Sequence, residues 1–344
     1  MINKFFPSNF LFILIMISGT MITLSSSHWI TMWVGLEINL MGFLPLMNIK
    51  GKTLEAEASM KYFIIQSLSS SVLIMSSLMS YNYTLSWYSM FNNNTLSTLI
   101  LLSLILKLGG VPFHFWLPNM TKQMTWLILF LILTWQKLAP LFMLMLINNN
   151  MNIIMLISVL STLVASVMIL NQTNLQLIIT YSSISHLGWM LSTIMINSSM
   201  TLVYFISYTI ISLPLMILLN NYSNNYLFTL THKNKMNKLM MPSLILSLAG
   251  LPPLLGFITK LLMLISLIRL NFIVLSLLMF IGTLISLFFY LNMTLMTMIK
   301  SYYLFENHAT MKTYSFISVI NILSIFIFFN MINIMIKYAM IILH

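Results

Sequence analysis

Aspartate and cysteine do not occur in these 344 residues, only four acidic residues are present, and 6% of the chain is charged. Without cysteine the chain itself cannot form disulfides, hold a metal through thiolates or ligate an iron–sulfur cluster. There is no aspartate for a catalytic triad or a metal centre, no Gly-rich dinucleotide fingerprint and no phosphate loop. The six histidines include no pair at a spacing that suggests a metal or haem site. Whatever chemistry the chain supports, it does not itself handle a nucleotide, a flavin or a metal.

What remains is apolar. Hydrophobic residues make up 60% of the sequence and its mean hydropathy is +0.98, whereas soluble domains hold about 45–50% apolar and about 25% charged residues. The apolar runs are about 20 residues long, helical in length, unlike the roughly 10-residue alternating strands of a membrane barrel. The expected fold is all-α, a polytopic bundle of about eleven transmembrane helices in a single domain, 1–344. The spans are placed near 8–25, 28–48, 60–80, 96–116, 124–146, 151–170, 174–196, 199–219, 241–266, 271–292 and 314–336. Lys4 leads straight into the first with no small-residue cleavage site, so a retained first helix is expected. The 33 methionines form no stripe tied to histidine and read as packing. Usage rich in Met, Asn, Ile, Phe, Tyr and Lys suggests an AT-rich genome such as a mitochondrial one.

The net charge of +11 does not imply a nucleic-acid partner, because the basic residues are not gathered on a soluble face. They set orientation instead. With the N-terminus inside, the inner segments hold Lys4, Lys50, Lys52, Lys61, Lys122, Lys233, Lys235, Lys238, Lys300 and Lys312, and the outer ones only Arg269 and Lys337. That is a positive-inside bias. Trp29, Trp87, Trp116 and Trp126 fall near span ends, where interfacial aromatics are expected.

Two spans contain Gly/Pro interruptions. The fourth reads Lys107-Leu108-Gly109-Gly110-Val111-Pro112-Phe113-His114, and the ninth Gly250-Leu251-Pro252-Pro253-Leu254-Leu255-Gly256, with Lys260 beyond. Proline removes an amide donor and glycine relaxes the backbone. In hydrocarbon the freed carbonyls persist only where protein or a hydrated cavity surrounds them. Each break is either a packing kink or a discontinuous helix. Five spans apart, they lie in helices of opposite direction, as an inverted repeat with paired broken helices would place them.

Four ionisable residues, Glu37, Lys107, Lys137 and Lys260, lie inside spans. At roughly 2.5–3.5 kcal/mol each, four such groups cost about 10–14 kcal/mol on insertion, comparable to a domain's whole net stability of about 5–15 kcal/mol. They are expected to pair, meet water or carry something. Burial disfavours charge on amines and carboxylates alike, so such groups can exchange a proton at little cost, and a neighbouring opposite charge can switch that exchange. The bland alternative is a lysine that snorkels to the interface. His186, in mid-span beside Ser182, Ser183 and Ser185, either relays protons between Lys137 and Lys260 or bonds a nearby carbonyl. His114, at the first break and toward the inner half, is a further candidate relay residue. His28, His232, His308 and His344 are expected in solvated positions.

At these residues the sequence resembles a known family. The stretches 33–45, 107–118, 135–140, 181–189 and 250–260 resemble chain 2 of NADH–ubiquinone oxidoreductases, an antiporter-like subunit of the membrane arm of respiratory complex I. The likeness covers nearly the whole chain in order, and the Lys107 and Lys137 motifs carry it most specifically. It implies the inner mitochondrial membrane, a matrix-facing N-terminus, and partners among antiporter-like, small membrane and accessory subunits. It further implies that NADH, FMN, iron–sulfur clusters and ubiquinone belong to partner subunits. Glu37, paired with Lys107, would line a central hydrated axis with Lys137 and Lys260. Bacterial relatives have fourteen helices; eleven spans correspond to a form without the first three, with no room for a long lateral helix after the last. Two other functions fit the same residues, a stand-alone cation/proton antiporter and a scaffold whose lysines are idle.

Overall fold

The computed structural model describes residues 7–49, 51–84, 94–147, 151–220, 235–252 and 254–303. Among the described residues every regular element is a helix: α1 Pro7–Ser25, α2 Trp29–Met47, α3 Thr53–Thr84, α4 Asn94–Leu108, α5 Trp116–Thr121, α6 Trp126–Leu133, α7 Trp135–Met145, α8 Met151–Ile169, α9 Leu175–Ile194, α10 Ser198–Asn220, α11 Lys235–Ala249, α12 Leu255–Arg269 and α13 Ile273–Tyr303. They account for the first ten expected spans. The eleventh, 314–336, lies outside the described residues, as do Lys4, Lys50, Lys233, Lys312, Lys337, Trp87, Pro253 and the loop histidines His232, His308 and His344.

Helix is the favoured state because it satisfies backbone polar groups internally. The short hydroxyls join in: Ser161 bonds Ser158 O (2.9 Å), Ser182 bonds Ile179 O (2.6 Å) and Ser183 bonds Thr180 O (2.7 Å). Such back-bonding lets a polar helix sit in apolar surroundings. It suits α9 above all, which is the central helix; apart from Tyr181 and Ser185 all of its residues are buried. α8, α10, α12, α5 and α6 pack around it. At the other end, α1 and α2 approach closely through glycine, since a Cβ on Gly19 would stand 2.5 Å from the Asn39 nitrogen.

Both expected breaks are present, between α4 and α5 and between α11 and α12. A third was not anticipated. The fifth span divides at Thr134, whose φ and ψ are −117° and −75°. Its hydroxyl and its N–H both donate to Phe130 O, at 2.7 and 3.0 Å, a pattern that bends helices. Pro140 one turn beyond Gln136 weakens the same ladder. Two helices outrun their expected spans: α3 begins at Thr53, with Glu57 and Lys61 paired one turn apart, and α13 extends to Tyr303. The interfacial tryptophans differ too. Trp29 and Trp126 do start helices, but both are buried in protein, where they join the hydrophobic core.

Candidate functional site

The two anticipated breaks are built alike. At the end of α4, Gly109 takes φ +73°; its N–H donates to Leu106 O (3.2 Å) and that of Gly110 to Ile105 O (3.1 Å). At the end of α11, Gly250 takes φ +84°, and the N–H groups of Gly250 and Leu251 both donate to Leu246 O, at 3.1 and 3.3 Å. Glycine is the residue that adopts this left-handed geometry without a steric penalty, and the motif caps a helix C-terminus. The Trp116 indole N–H adds a bond to Leu106 O (3.2 Å).

Each capped end holds a lysine. Lys107 occupies the last turn of α4. Lys260, in α12, reaches back across its break and donates to the carbonyl of Ala249, the last residue of α11, at 2.8 Å. A helix C-terminus carries partial negative charge that favours a cation by about 0.3–1 kcal/mol, and by up to about 2 kcal/mol when partly buried. Gly250 also makes the space: a Cβ there would stand 3.2 Å from the Lys260 nitrogen. Thus the breaks do more than kink the chain. They bring C-terminal backbone ends to the level of the lysines.

Lys137 lies in the first turn of α7, just past the break at Thr134, and is 3% exposed. Its Nζ donates to the carbonyl of Ser183 in α9 (3.1 Å). Lys107, 7% exposed, and Lys137 line one cavity together with Asn39, Tyr62, Gln66 and Gln136. The centres of water-sized spheres have about 20 Å³ there, and roughly 10–15 Å³ by that measure holds one water. The cavity therefore has room for a water beside the two lysines.

Glu37 is half-buried in α2, and its Oε1 is enclosed without a hydrogen-bond partner. No ion pair within 4.0 Å joins it to Lys107, although its charge acts on both Lys107 and Tyr62. His186, 5% exposed on α9, bonds the Tyr204 hydroxyl through Nδ1 (2.8 Å). Its ring also meets the Leu248 backbone and lies within electrostatic reach of Lys260 and Lys137. His114 is buried in the turn after α4 with neither ring nitrogen bonded, its ring 4.2 Å from that of Phe115. His28 is exposed, as expected.

Sequence reasoning missed the uncharged half of the site. Asn39 and Gln136, neighbours of Glu37 and Lys137, bond each other. Gln66 donates to the Lys107 carbonyl (3.3 Å). Tyr204, Tyr208 and Tyr290 surround α9 from α10 and α13. The available signal was an amide or phenol inside an apolar span, weaker than a charge because such groups are common in helix packing. Among the described residues there is no cluster of metal-ligating side chains.

The family whose members are described as the membrane domain of NADH:quinone oxidoreductase/Mrp antiporters matches residues 26–286. NADH-ubiquinone oxidoreductase chain 2 of Anopheles gambiae is 38% identical over 331 residues, covering 92% of this chain and 95% of that one. The chain 2 of Hylobates lar is 40% identical over 289 residues, covering 82% and 83%. Among solved structures, a chain of respiratory complex I from Thermus thermophilus superposes with a TM-score of 0.77 at 24% identity, covering 84% of this chain and 70% of that one. A chain of the Mrp complex from Dietzia sp. gives 0.76 at 17% identity, covering 88% and 62%. These likenesses in fold agree with the all-helical bundle. By the span of the family match and by the identity to its relatives, the chain belongs to the NADH:quinone oxidoreductase/Mrp antiporter membrane family, and within it to the NADH-ubiquinone oxidoreductase chain 2 group.

Proposed function

We propose that the chain is a proton-translocating subunit of the membrane arm of a respiratory complex I, with Glu37, Lys107, Lys137, His186 and Lys260 as its relay. The observation that carries this reading is the cavity shared by Lys107 and Lys137. Two lysines that line one small polar cavity with room for a water are within range of a proton exchange over that water. From Lys137 the series continues to α9, where Ser183 holds the amine and His186 stands within reach of Lys260. Glu37 supplies the opposite charge whose approach or retreat changes how firmly Lys107 holds its proton.

In this reading the chain is a subunit of a proton-translocating NADH:ubiquinone reductase and has no redox centre of its own. NADH, FMN, iron–sulfur clusters and ubiquinone belong to partner subunits, and so does the driving reaction. The partners are other membrane-arm subunits, antiporter-like, small and accessory, with lipid around the bundle. The location is the inner mitochondrial membrane, as a multi-pass protein whose N-terminus faces the matrix. Exposed Lys52 and Lys122 on the N-terminal side support that orientation. The whole chain forms one transmembrane domain.

Lys137→Ala tests the function. The expected result is an assembled complex whose proton-to-electron ratio, or whose coupled turnover, falls severalfold. An unchanged ratio at full turnover would leave the chain a scaffold.

A further inference from the structure

The first break is open to its surroundings where the second is closed. Between α4 and α5 the chain leaves the helix over residues 109–115. Three residues of that stretch are exposed: Pro112, Phe113 at 39% and Phe115 at 64%. Val111 and His114 between them are buried. From within the chain, α3, α7 and α9 pack on α4 and α5, yet the proline and both phenylalanines stay uncovered.

The depth of this surface decides what can lie against it. Trp116 and Leu117, next along the chain from Phe115, line the cavity of Lys107 and Lys137, and the Trp116 indole bonds the last turn of α4. The turn therefore stands at the level of the relay lysines, inside the span. Its backbone is poorly satisfied there. The Leu117 N–H donates to His114 O at 3.1 Å, but among the described residues the N–H groups of Phe113 and Phe115 have no acceptor in hydrogen-bonding geometry. The second break closes within the chain: Leu254 N–H donates to Leu251 O at 2.8 Å, and Phe257 N–H to Leu254 O at 3.0 Å. Irregular backbone does not face lipid in the hydrocarbon region, and it persists only against protein or a water-filled cavity. A surface of one proline and two phenylalanines is a poor lining for water. Protein remains.

We propose that the α4–α5 turn is a docking surface for a transmembrane helix of a neighbouring subunit. That helix packs apolar side chains on Pro112, Phe113 and Phe115 and turns a hydroxyl, amide or carboxyl oxygen toward the free N–H groups. Apolar area alone gives a helix no preference for protein over acyl chains, so close packing and hydrogen bonds must supply it. The unbonded amides provide what the rings cannot, a reason for one partner in one register. The inference rests on the chain's place in a multisubunit membrane arm and not on the proton relay, so the result of Lys137→Ala does not bear on it.

The test replaces Phe115 and, separately, Phe113 with p-azidophenylalanine during synthesis of the chain, and irradiates the assembled complex in its membrane. The analogue keeps the ring in place, and mass spectrometry locates each adduct. The expected result is a cross-link to an apolar transmembrane segment of another subunit, at least threefold more abundant than adducts with lipid. Adducts chiefly with lipid overturn the proposal, and so does the absence of any adduct. A cross-link to a loop of another subunit, or to the expected span 314–336 of this chain, overturns it as well. If one substituted chain fails to assemble the other decides. If both fail, the same azide at Asn119, exposed one turn beyond Phe115 on α5, decides by the same criterion.

Discussion

Asn39 and Gln136 exchange amide hydrogen bonds in both directions: Asn39 Nδ2 donates to Gln136 Oε1 at 3.0 Å, and Gln136 Nε2 donates to Asn39 Oδ1 at 3.1 Å. Tyr62 adds a third bond to Gln136 Oε1 (3.3 Å). The clasp ties α2 to α7, two residues from Glu37 and one from Lys137, and forms part of the polar wall between Lys107 and Lys137. It fixes the cavity without placing another charge in it.

Removing one half of that clasp should hurt more than removing both halves would suggest. Asn39→Leu leaves the half-buried Gln136 amide short of partners, at a cost of about 1–3 kcal/mol. In Asn39→Leu/Gln136→Leu neither amide is left without the other, and only the Tyr62 hydroxyl loses an acceptor. The double variant is expected to cost less than the sum of the singles, with a coupling of about 0.5–3 kcal/mol. Thermal unfolding of the four proteins in the complex measures the cycle. Strictly additive losses would mean that the clasp is incidental.

Gly250→Ala should damage the relay through its backbone. A side chain at φ +84° is strained by about 1–2 kcal/mol, and its Cβ would press on Lys260 at 3.1 Å from Cδ and 3.2 Å from Nζ. Gly51→Ala is the matched control: its φ is +63°, and a Cβ there meets nothing within 4 Å. Both variants should lose stability. A fall in the proton-to-electron ratio is expected from Gly250→Ala and not from Gly51→Ala.

The α1–α2 seam predicts a defect in assembly rather than in transport. A Cβ on Gly19 would lie 2.5 Å from the Asn39 nitrogen, and one on Gly42 2.7 Å from the Met16 nitrogen. Both obstacles are backbone, so relief requires a shift of the whole helix. Overpacking of this kind costs about 1–3 kcal/mol. Gly19→Ala is expected to lower the amount of assembled complex, and Leu14→Ala, at a position 50% exposed on the same helix, is not. Blue native electrophoresis of the two variants shows whether the seam sets assembly.

Charge made this site legible in the sequence, and geometry withheld the rest. Lys107, Lys137 and Lys260 stood out because each costs so much in an apolar span. The glycines and prolines near two of them announced the breaks. Thr134 gave no such notice, since threonine interrupts a helix only by bonding back to it, a choice that depends on what packs around it. The clasp of Asn39 with Gln136 joins positions 97 apart, and a pairing at that separation follows from the arrangement of α2 against α7, not from any local pattern. The extra length of α3 was hidden for another reason. Its first turns are polar, and hydropathy finds where a helix enters lipid, not where it begins.

Lys107→Met should separate stability from function. A buried ion without a close partner is desolvated with little return, so an apolar side chain of similar volume should serve the packing at least as well. The loss expected on breaking a buried pair does not apply here, because no ion pair within 4.0 Å holds Lys107. Its backbone carbonyl keeps the bond from Gln66, which does not involve the side chain. Thermal stability of the complex should therefore stay level or rise, while coupled proton uptake falls severalfold. Lys61→Ala is the opposite case. Its bridge to Glu57 is half exposed, with side chains 41% and 51% accessible, and solvent screens such a pair so that it contributes little. Uptake there should be unchanged. If Lys107→Met destabilised the complex by several kcal/mol, the lysine would be a structural member of the bundle, and its place on the cavity wall would need another account.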